Sequence, residues 1–391
     1  MIIKSLADTD LYKLSMLQLA FHQFPNNPVK YRFKCRTKDV DLRPYRAEIQ
    51  EEVCHLDTLR FTEDELVFLL KYKDGKIFKP DFVNFLRTFK LDSKQVILFD
   101  EDNQLQIEVA GSWVQTILFE IYLLSIINEV YFRNIQPDAD KMFGLFKLDQ
   151  KINMIKDSSI PFKFTEFGTR RRYSHEWQES VVRVLAEKLD RKTFMGTSNI
   201  DLARRLKIPL IGSQAHELFQ MMQSLSPNGS YFESHKLTLD KWVKEYDDQL
   251  LIALSDIFGT DAFLSDFSPA MTKKFDGLRQ DSGNPFQWAD KVIAHYKKHG
   301  IDPMTKLALF SDGLDIPKAL EINQYCHNKI DCAFGVGTNL SNDLGFPALN
   351  IVIKMVEANG MPVVKISDEP SKAIGDKSVI EKIKKYYGIL S

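Results

Sequence analysis

Phe194 to Phe219 reads FMGTSNIDLARRLKIPLIGSQAHELF. An apolar run, Ile208 to Ile211, ends in Gly212-Ser213, and His216 then opens a segment in which Leu218, Phe219, Met222 and Leu225 recur at helical spacing. This reads as a buried strand that stops at a small-residue turn and delivers a histidine into the first turn of the next helix. The positive end of a helix dipole disfavours imidazolium, so a histidine there stays neutral and nucleophilic, and an anion attached to the ring or near it is favoured. A phosphorylated histidine fits this position. On His216 alone, a neutral core or surface histidine with no role is the favoured reading, and the neighbouring stretches shift the balance.

The same strand, polar turn, helix unit recurs on either side. Phe162 to Phe167 ends at Gly168-Thr169-Arg170, Leu250 to Leu254 at Ser255-Asp256, Leu307 to Phe310 at Ser311-Asp312-Gly313, and Cys332 to Phe334 at Gly335-Val336-Gly337. Such units predict parallel strands wound into an α/β barrel, with the chemistry gathered at the carboxyl ends of the strands. The intervening helices carry one apolar stripe (Trp177, Val181, Val184, Leu185, Leu189) or a clear start and stop, as in Asn284-Pro285 through Gly300.

The N-terminal third has a different texture. Asp8-Thr9-Asp10 are capping candidates for an amphipathic helix carrying Leu11, Tyr12, Leu14, Leu17, Gln18 and Phe21. VKYRFKCR (Val29 to Arg36) alternates with period two as a half-wet strand does. Glu63 to Lys71 and Pro80 to Phe89 read as helices, and Val96 to Leu98 with Leu105 to Val109 as strands around an Asp-Asn turn. Near the C-terminus, IVIKMVEANGMPVVKIS folds back around Asn359-Gly360, a strong hairpin signal. The predicted organisation is an N-terminal α/β layer over residues 1–135, a barrel over 136–345, and a returning hairpin and helix over 346–391.

A chain of 391 residues suits two or three domains at roughly 150 residues each. With a net charge of -1, no global field draws it to nucleic acid or an anionic membrane, so any anion site is local and its ligand small. Cys35, Cys54, Cys326 and Cys332 show no CxxC spacing and no signal peptide precedes them, which points to the cytosol and away from structural zinc. Trp113 to Phe132 resembles a membrane span, but Gln115, Glu120, Asn128 and Glu129 interrupt it and favour a buried helix.

Five turns hold candidate chemistry beside His216. Arg170, Arg171 and Arg172 follow Gly168 where a helix start is expected, and cations there oppose the dipole unless a phosphate or carboxylate offsets them; a solvated charge run is the alternative. Gly277-Leu278-Arg279-Gln280-Asp281-Ser282-Gly283-Asn284 sets an arginine, a carboxylate and a Ser-Gly pair before a helix, either an anion cradle with Asp281 on magnesium or sugar hydroxyls, or an ordinary capped turn. Asp256 is placed to fix the tautomer of His216 or to cap a helix. The small residues at Asp312-Gly313 and Gly335 to Thr338 would admit a phosphate to backbone amides.

Taken together, DTDLYKLSM, TEFGTRRRYSHEWQ, FMGTSNIDLARRL, GSQAHELF, GLRQDSGN, FSDGLD and FGVGTNLSND resemble the nicotinate phosphoribosyltransferase family of the bacterial and fungal type, in the family's order from Tyr12 to Asp343. The resemblance implies an irregular type II phosphoribosyltransferase α/β barrel with an α/β sandwich domain. It implies that nicotinate and 5-phosphoribosyl 1-pyrophosphate give nicotinate mononucleotide and pyrophosphate in NAD biosynthesis, coupled to ATP through phosphorylation of His216 beside Asp256. It further implies Phe167 and Tyr12 stacking on the pyridine ring, Tyr12 from the other subunit of a homodimer, with Arg279, Ser213 and Thr338 at the nicotinate carboxylate. By the same resemblance Arg170, Asp281, Ser282, Gly283, Asp312, Gly313, Gly335 and Gly337 fall at the phosphoribosyl pyrophosphate, with Mg²⁺ assigned to Asp281.

Two positions qualify the resemblance. The nicotinamide-using relative carries aspartate where Ser198 stands, so Ser198 favours nicotinate. Asn284 replaces the family's usual aspartate, which puts metal or ribose contacts there in doubt while keeping a good helix cap. A decarboxylating quinolinate enzyme is disfavoured by His216, and a silent nucleotide-binding barrel is the reading from another class.

Overall fold

The computed structural model describes residues 1–389. The chain forms two compact units, the first made of Met1–Asp157, Phe164–Gly212 and Val336–Lys354, the second of Ser158–Lys163, Ser213–Gly335 and Met355–Ser391. This division differs from the three consecutive segments expected at residues 135 and 345. The helix Lys141–Lys156 stays with the N-terminal region, and its Lys147 and Lys151 pair with Asp343 in the returning stretch of the same unit.

In the first unit, strands β1 (Pro28–Cys35), β2 (Val96–Glu101) and β3 (Gln104–Ser112) form an antiparallel sheet with β3 between the others. Val29, Tyr31 and Phe33 are buried while Arg32 and Lys34 face solvent, so the period-two pattern sets the face of β1. Asp102 and Asn103, both at positive φ, turn β2 into β3. The helix Leu11–Gln23 departs from its amphipathic reading: Leu11 through Ala20 are all buried. Its polar members are satisfied internally, Lys13 by Glu120 at 2.7 Å and Gln18 by Ile77 O and Lys79 N–H at 2.9 and 2.7 Å. Trp113–Ile135 is long and apolar enough to cross a membrane, but 94% of its most apolar window is buried within the protein, as the interrupting polar residues suggested. The same unit carries a short parallel pair, β4 (Phe164–Glu166) and β5 (Phe194–Thr197).

The second unit holds four parallel strands in the order β6 (Ile252–Leu254), β7 (Gly277–Gln280), β8 (Leu307–Phe310) and β9 (Asp331–Val336). Their registers align Leu254 with Arg279, Gln280 with Phe310 and Phe310 with Phe334, so the turns after β6, β7 and β8 open at one rim. The helix Pro285–Lys298 starts where Asn284 accepts from the Phe286 and Gln287 amides and ends before Gly300. Strand β10 (Ile351–Ala358) turns at Asn359-Gly360, both at positive φ, into the short β11 (Met361–Pro362). Parallel strand, turn, helix units and a separate antiparallel sheet make this the expected α/β class.

Ile208 to Ile211 is a correction to the reading above. It makes a single parallel bridge, Leu210 to Thr197, and no strand of its own. Pro209 has no N–H to give to a ladder. Its carbonyl instead lies so close to Gly196 that a Cβ there would meet it at 2.0 Å, and Gly196 is held at φ +134°.

Candidate active site

Within the second unit, the rim gathers side chains from separate turns. His216 is the first residue of the helix His216–Leu225, as expected, and its Nε2 lies 2.7 Å from Asp256 Oδ1 at the end of β6. A carboxylate only accepts, so Nε2 carries the proton and Nδ1 keeps its lone pair, 3.8 Å from Asp281 Oδ2. Asp256 does not cap a helix. Its other oxygen takes Ser282 Oγ at 2.6 Å and Lys365 Nζ at 3.2 Å, with Ser367 Oγ at 3.4 Å.

Arg279, on β7, is bound on several sides. Nε donates to Ser311 Oγ at 2.7 Å, Nη1 to Ser213 Oγ and Gln214 O at 3.0 and 2.9 Å, and Nη2 to Asp281 Oδ1 at 3.0 Å. Four of the five N–H donors of this guanidinium therefore have protein partners. Ser282 also accepts from the Asp368 amide, and Gly283, at φ +76°, lies so close to Asp368 that a Cβ would meet that side chain at 2.8 Å. Asp312 pairs with Lys372, Gly313 lies beside it in the turn after β8, and Gly335 lies within β9.

The charges follow from this packing. Burial and then the Lys365 charge lower His216, against the opposing pull of Asp256, to about 4, so the ring is neutral at pH 7. Burial pushes the Asp256 carboxyl up, but Lys365 and His216 outweigh it and hold the group well below the usual range. Asp281 is likewise pushed up by burial and held down by Arg279. Asp312 is raised by burial, partly offset by Lys372.

The first unit holds the remaining candidates: Tyr12, Phe167, Arg170, Ser198, Gly337 and Thr338. Phe167 N–H donates to Val336 O at 2.9 Å, and a Cβ on Gly337 would meet Phe167 O at 3.0 Å, which sets the turn of Gly337 and Thr338 against Phe167. Tyr12 is buried in the helix Leu11–Gln23. Ser198 is buried and donates to Asp10 Oδ1 at 2.7 Å, so its hydroxyl already has a partner. Arg170 reaches Glu120 at 3.4 Å and is a third exposed.

The arginine run departs from the reading above. Thr169–Arg171 is a 3₁₀ turn, the helix begins only at His175, and Arg172 is completely buried. Arg172 grips both oxygens of Asp8 at 2.7 and 2.8 Å and Glu129 at 2.7 Å. Asp8 therefore balances a buried cation, and no side chain among Asp8, Thr9 and Asp10 caps the first helix.

Lys365, Ser367 and Asp368 were not anticipated around Asp256. The available signal was a lysine inside the buried run Val363-Val364-Lys365-Ile366, where a charge needs a partner. Ser311 was visible only as part of its turn. Among the described residues, no three His, Cys, Asp or Glu side chains gather as a metal site, and Asp281 offers one carboxylate already engaged by Arg279.

Comparison with known proteins identifies the family. Residues 7–128 match the nicotinate phosphoribosyltransferase N-terminal domain and residues 162–390 the nicotinate phosphoribosyltransferase (NAPRTase) family. The chain is 47% identical over 380 residues to the nicotinate phosphoribosyltransferase of Cupriavidus necator, covering 96% of this chain and 95% of that one. It is similar to the crystal structure of the Vibrio cholerae enzyme with a TM-score of 0.94 at 37% identity, covering 100% and 95% of the two chains. The Porphyromonas gingivalis structure gives 0.93 at 29% identity over 99% and 100%. With both the N-terminal and the catalytic regions matched and relatives alike along their whole length, the chain belongs to the nicotinate phosphoribosyltransferase family.

Proposed function

We propose that the chain transfers the phosphoribosyl group of 5-phosphoribosyl 1-pyrophosphate to the ring nitrogen of nicotinate, and that ATP drives the reaction through transient phosphorylation of His216. The observation that carries this is the Asp256–His216 pair: Nε2–H is held by a carboxylate at 2.7 Å, so Nδ1 is the nucleophile of a neutral ring. Nδ1 attacks the γ-phosphorus, the N–P bond forms, and the P–O bond to ADP breaks with the electron pair leaving on ADP. Asp256 then offsets the positive charge the ring acquires.

In the transfer step the pyridine nitrogen bonds to ribose C1 while the C1–O bond to pyrophosphate breaks and pyrophosphate takes the electrons. No proton moves, so the protein's contribution is positioning and charge. Arg279, preset by Ser213, Ser311 and Asp281, receives the nicotinate carboxylate through its remaining N–H or by exchange with Ser213. Phe167 and Tyr12 bound the ring, with Thr338 beside the carboxylate, and Ser198, whose hydroxyl is committed to Asp10, leaves no added carboxylate to repel nicotinate. Arg170, Asp281, Ser282, Gly283, Asp312, Gly313, Gly335 and Gly337 serve the phosphates.

A donor set with one carboxylate, Asp281, whose Oδ1 is engaged by Arg279, fits Mg²⁺ held mainly by substrate phosphate oxygens, with Asp281 as the protein contributor. Bound there, the ion would neutralise leaving-group charge. A homodimer with shared sites in the cytosol completes the proposal.

The test is incubation with γ-labelled ATP, Mg²⁺ and phosphoribosyl pyrophosphate, with nicotinate or nicotinamide. Acid-labile phosphate on the wild type, its absence in His216→Asn, and faster turnover of nicotinate than of nicotinamide are expected. Absence of protein-bound phosphate, or equal use of nicotinamide, rejects the proposal.

A further inference from the structure

Glu166 ends β4, is fully buried, and has no part in the chemistry above. Three donors converge on its carboxylate: the Gly168 amide and Gln178 Nε2 (3.0 Å) reach Oε1, and Thr197 Oγ1 (2.6 Å) reaches Oε2. The backbone repeats the connection, because Ser198 N–H donates to Glu166 O at 3.0 Å. One side chain thus ties the turn that carries Phe167 to the end of β5 that carries Ser198. Gln178 is itself oriented by Arg172 at 3.2 Å. Oε1 faces two groups that can only donate, so it accepts in either state, while the Thr197 hydroxyl, which takes the Asn199 amide at 3.1 Å, donates to Oε2 when the carboxylate is ionised.

We propose that Glu166 is a positioning residue whose ionised carboxylate holds Phe167 and Ser198 in the arrangement that receives the pyridine ring. This rests on the reading of those two residues as base-binding. A brace chosen for stability alone would have a different character. Burial, with the Asp10 charge adding to it, outweighs the bonds from Thr197, Gln178 and Gly168 and holds this carboxyl at about 7. The charged groups around it are Asp10, which faces Arg170 and Glu120, and the Asp8–Arg172 pair beyond Gln178.

The sign is set by that rise. The folded state binds this proton more tightly than the unfolded chain does, so the ionised side chain opposes folding as pH rises towards and past 7. Ionised Glu166 is retained at a cost to stability. Removing its charge should therefore spare the fold and harm recognition of the base.

The test uses the full-length enzyme and Glu166→Gln, which keeps the shape. Expected are a rise of at least about fivefold in KM for nicotinate, KM for phosphoribosyl pyrophosphate and ATP-derived phosphate on His216 within about twofold, and a Tm at pH 8 no lower than wild type. Wild-type KM for nicotinate should rise as pH falls from 8 to 6 and stay flat in Glu166→Gln; the comparison cancels titration of the substrate phosphates.

A variant with wild-type KM for nicotinate, or one whose Tm and both KM values worsen together, overturns the proposal. Should Glu166→Gln not fold, Thr197→Val, which removes the donor to Oε2, carries the same criteria with Thr197→Ser expected to restore binding. Wild-type protein that fails to turn over nicotinate rejects the base-binding reading instead.

Discussion

Arg172 in the first unit and His216 in the second both sit in buried charged clusters, and they end in opposite chemical conditions. Around Arg172, Asp8 and Glu129 accept from the guanidinium while Gln178 and Asn199 fill further positions on the network. Asp8 is pushed up by burial and pulled far below its usual range by Arg172, whereas burial raises Glu129 to about 7. Around His216 the partner is as close, with Asp256 at 2.7 Å and itself held by Ser282 and Lys365, yet among the described residues the nearest charged partner of Nδ1 is Asp281 at 3.8 Å. A buried charge engaged on every side braces a fold. The same construction with one lone pair left over supplies a nucleophile.

The contrast predicts different failures. Arg172→Met leaves Asp8 as an uncompensated buried charge and should cost about 3–5 kcal/mol, read as a large drop in the unfolding midpoint by denaturant titration; a loss under about 1 kcal/mol would mean that the pair is no brace. Lys365→Met acts on the other cluster by removing a charge that keeps His216 neutral. Wild-type phosphorylation should be flat from pH 8 to about 5, because a ring at about 4 is unprotonated throughout. In the variant the fall should begin at higher pH, and an unchanged profile would remove Lys365 from the account. Smallest is Ser282→Ala, which deletes one hydroxyl bond to Asp256 and should slow phosphorylation by several-fold, about 1 kcal/mol, with Tm nearly unchanged.

The comparison also explains what could be read from the chain. Asp256 and Asp281 stand in turns after β6 and β7, Arg279 lies at the end of β7, and the one-dimensional pattern marks such strand ends because parallel strands bring them to one rim; His216 is marked instead by its place at a helix start. Lys365 stayed hidden because it follows β11 in a tail read as hairpin, and its link to Asp256 spans more than a hundred residues. Three consecutive arginines look alike in sequence, yet Arg172 is buried, Arg171 donates to Ile351 O, and Arg170 is a third exposed. Which arginine turns inward depends on Asp8, itself mistaken for a cap. Glu166 gave no signal at all, since its partners are a backbone amide, a glutamine and a threonine from three different segments.

Hydrogen-bond geometry assigns the proton of His216 to Nε2 and the reactive lone pair to Nδ1. Phosphorus–nitrogen couplings measured by NMR on ¹⁵N-histidine-labelled protein after reaction with ATP read that assignment directly. The account predicts phosphorus bonded to Nδ1 of His216. Phosphorus on Nε2, the nitrogen held by Asp256, would contradict it.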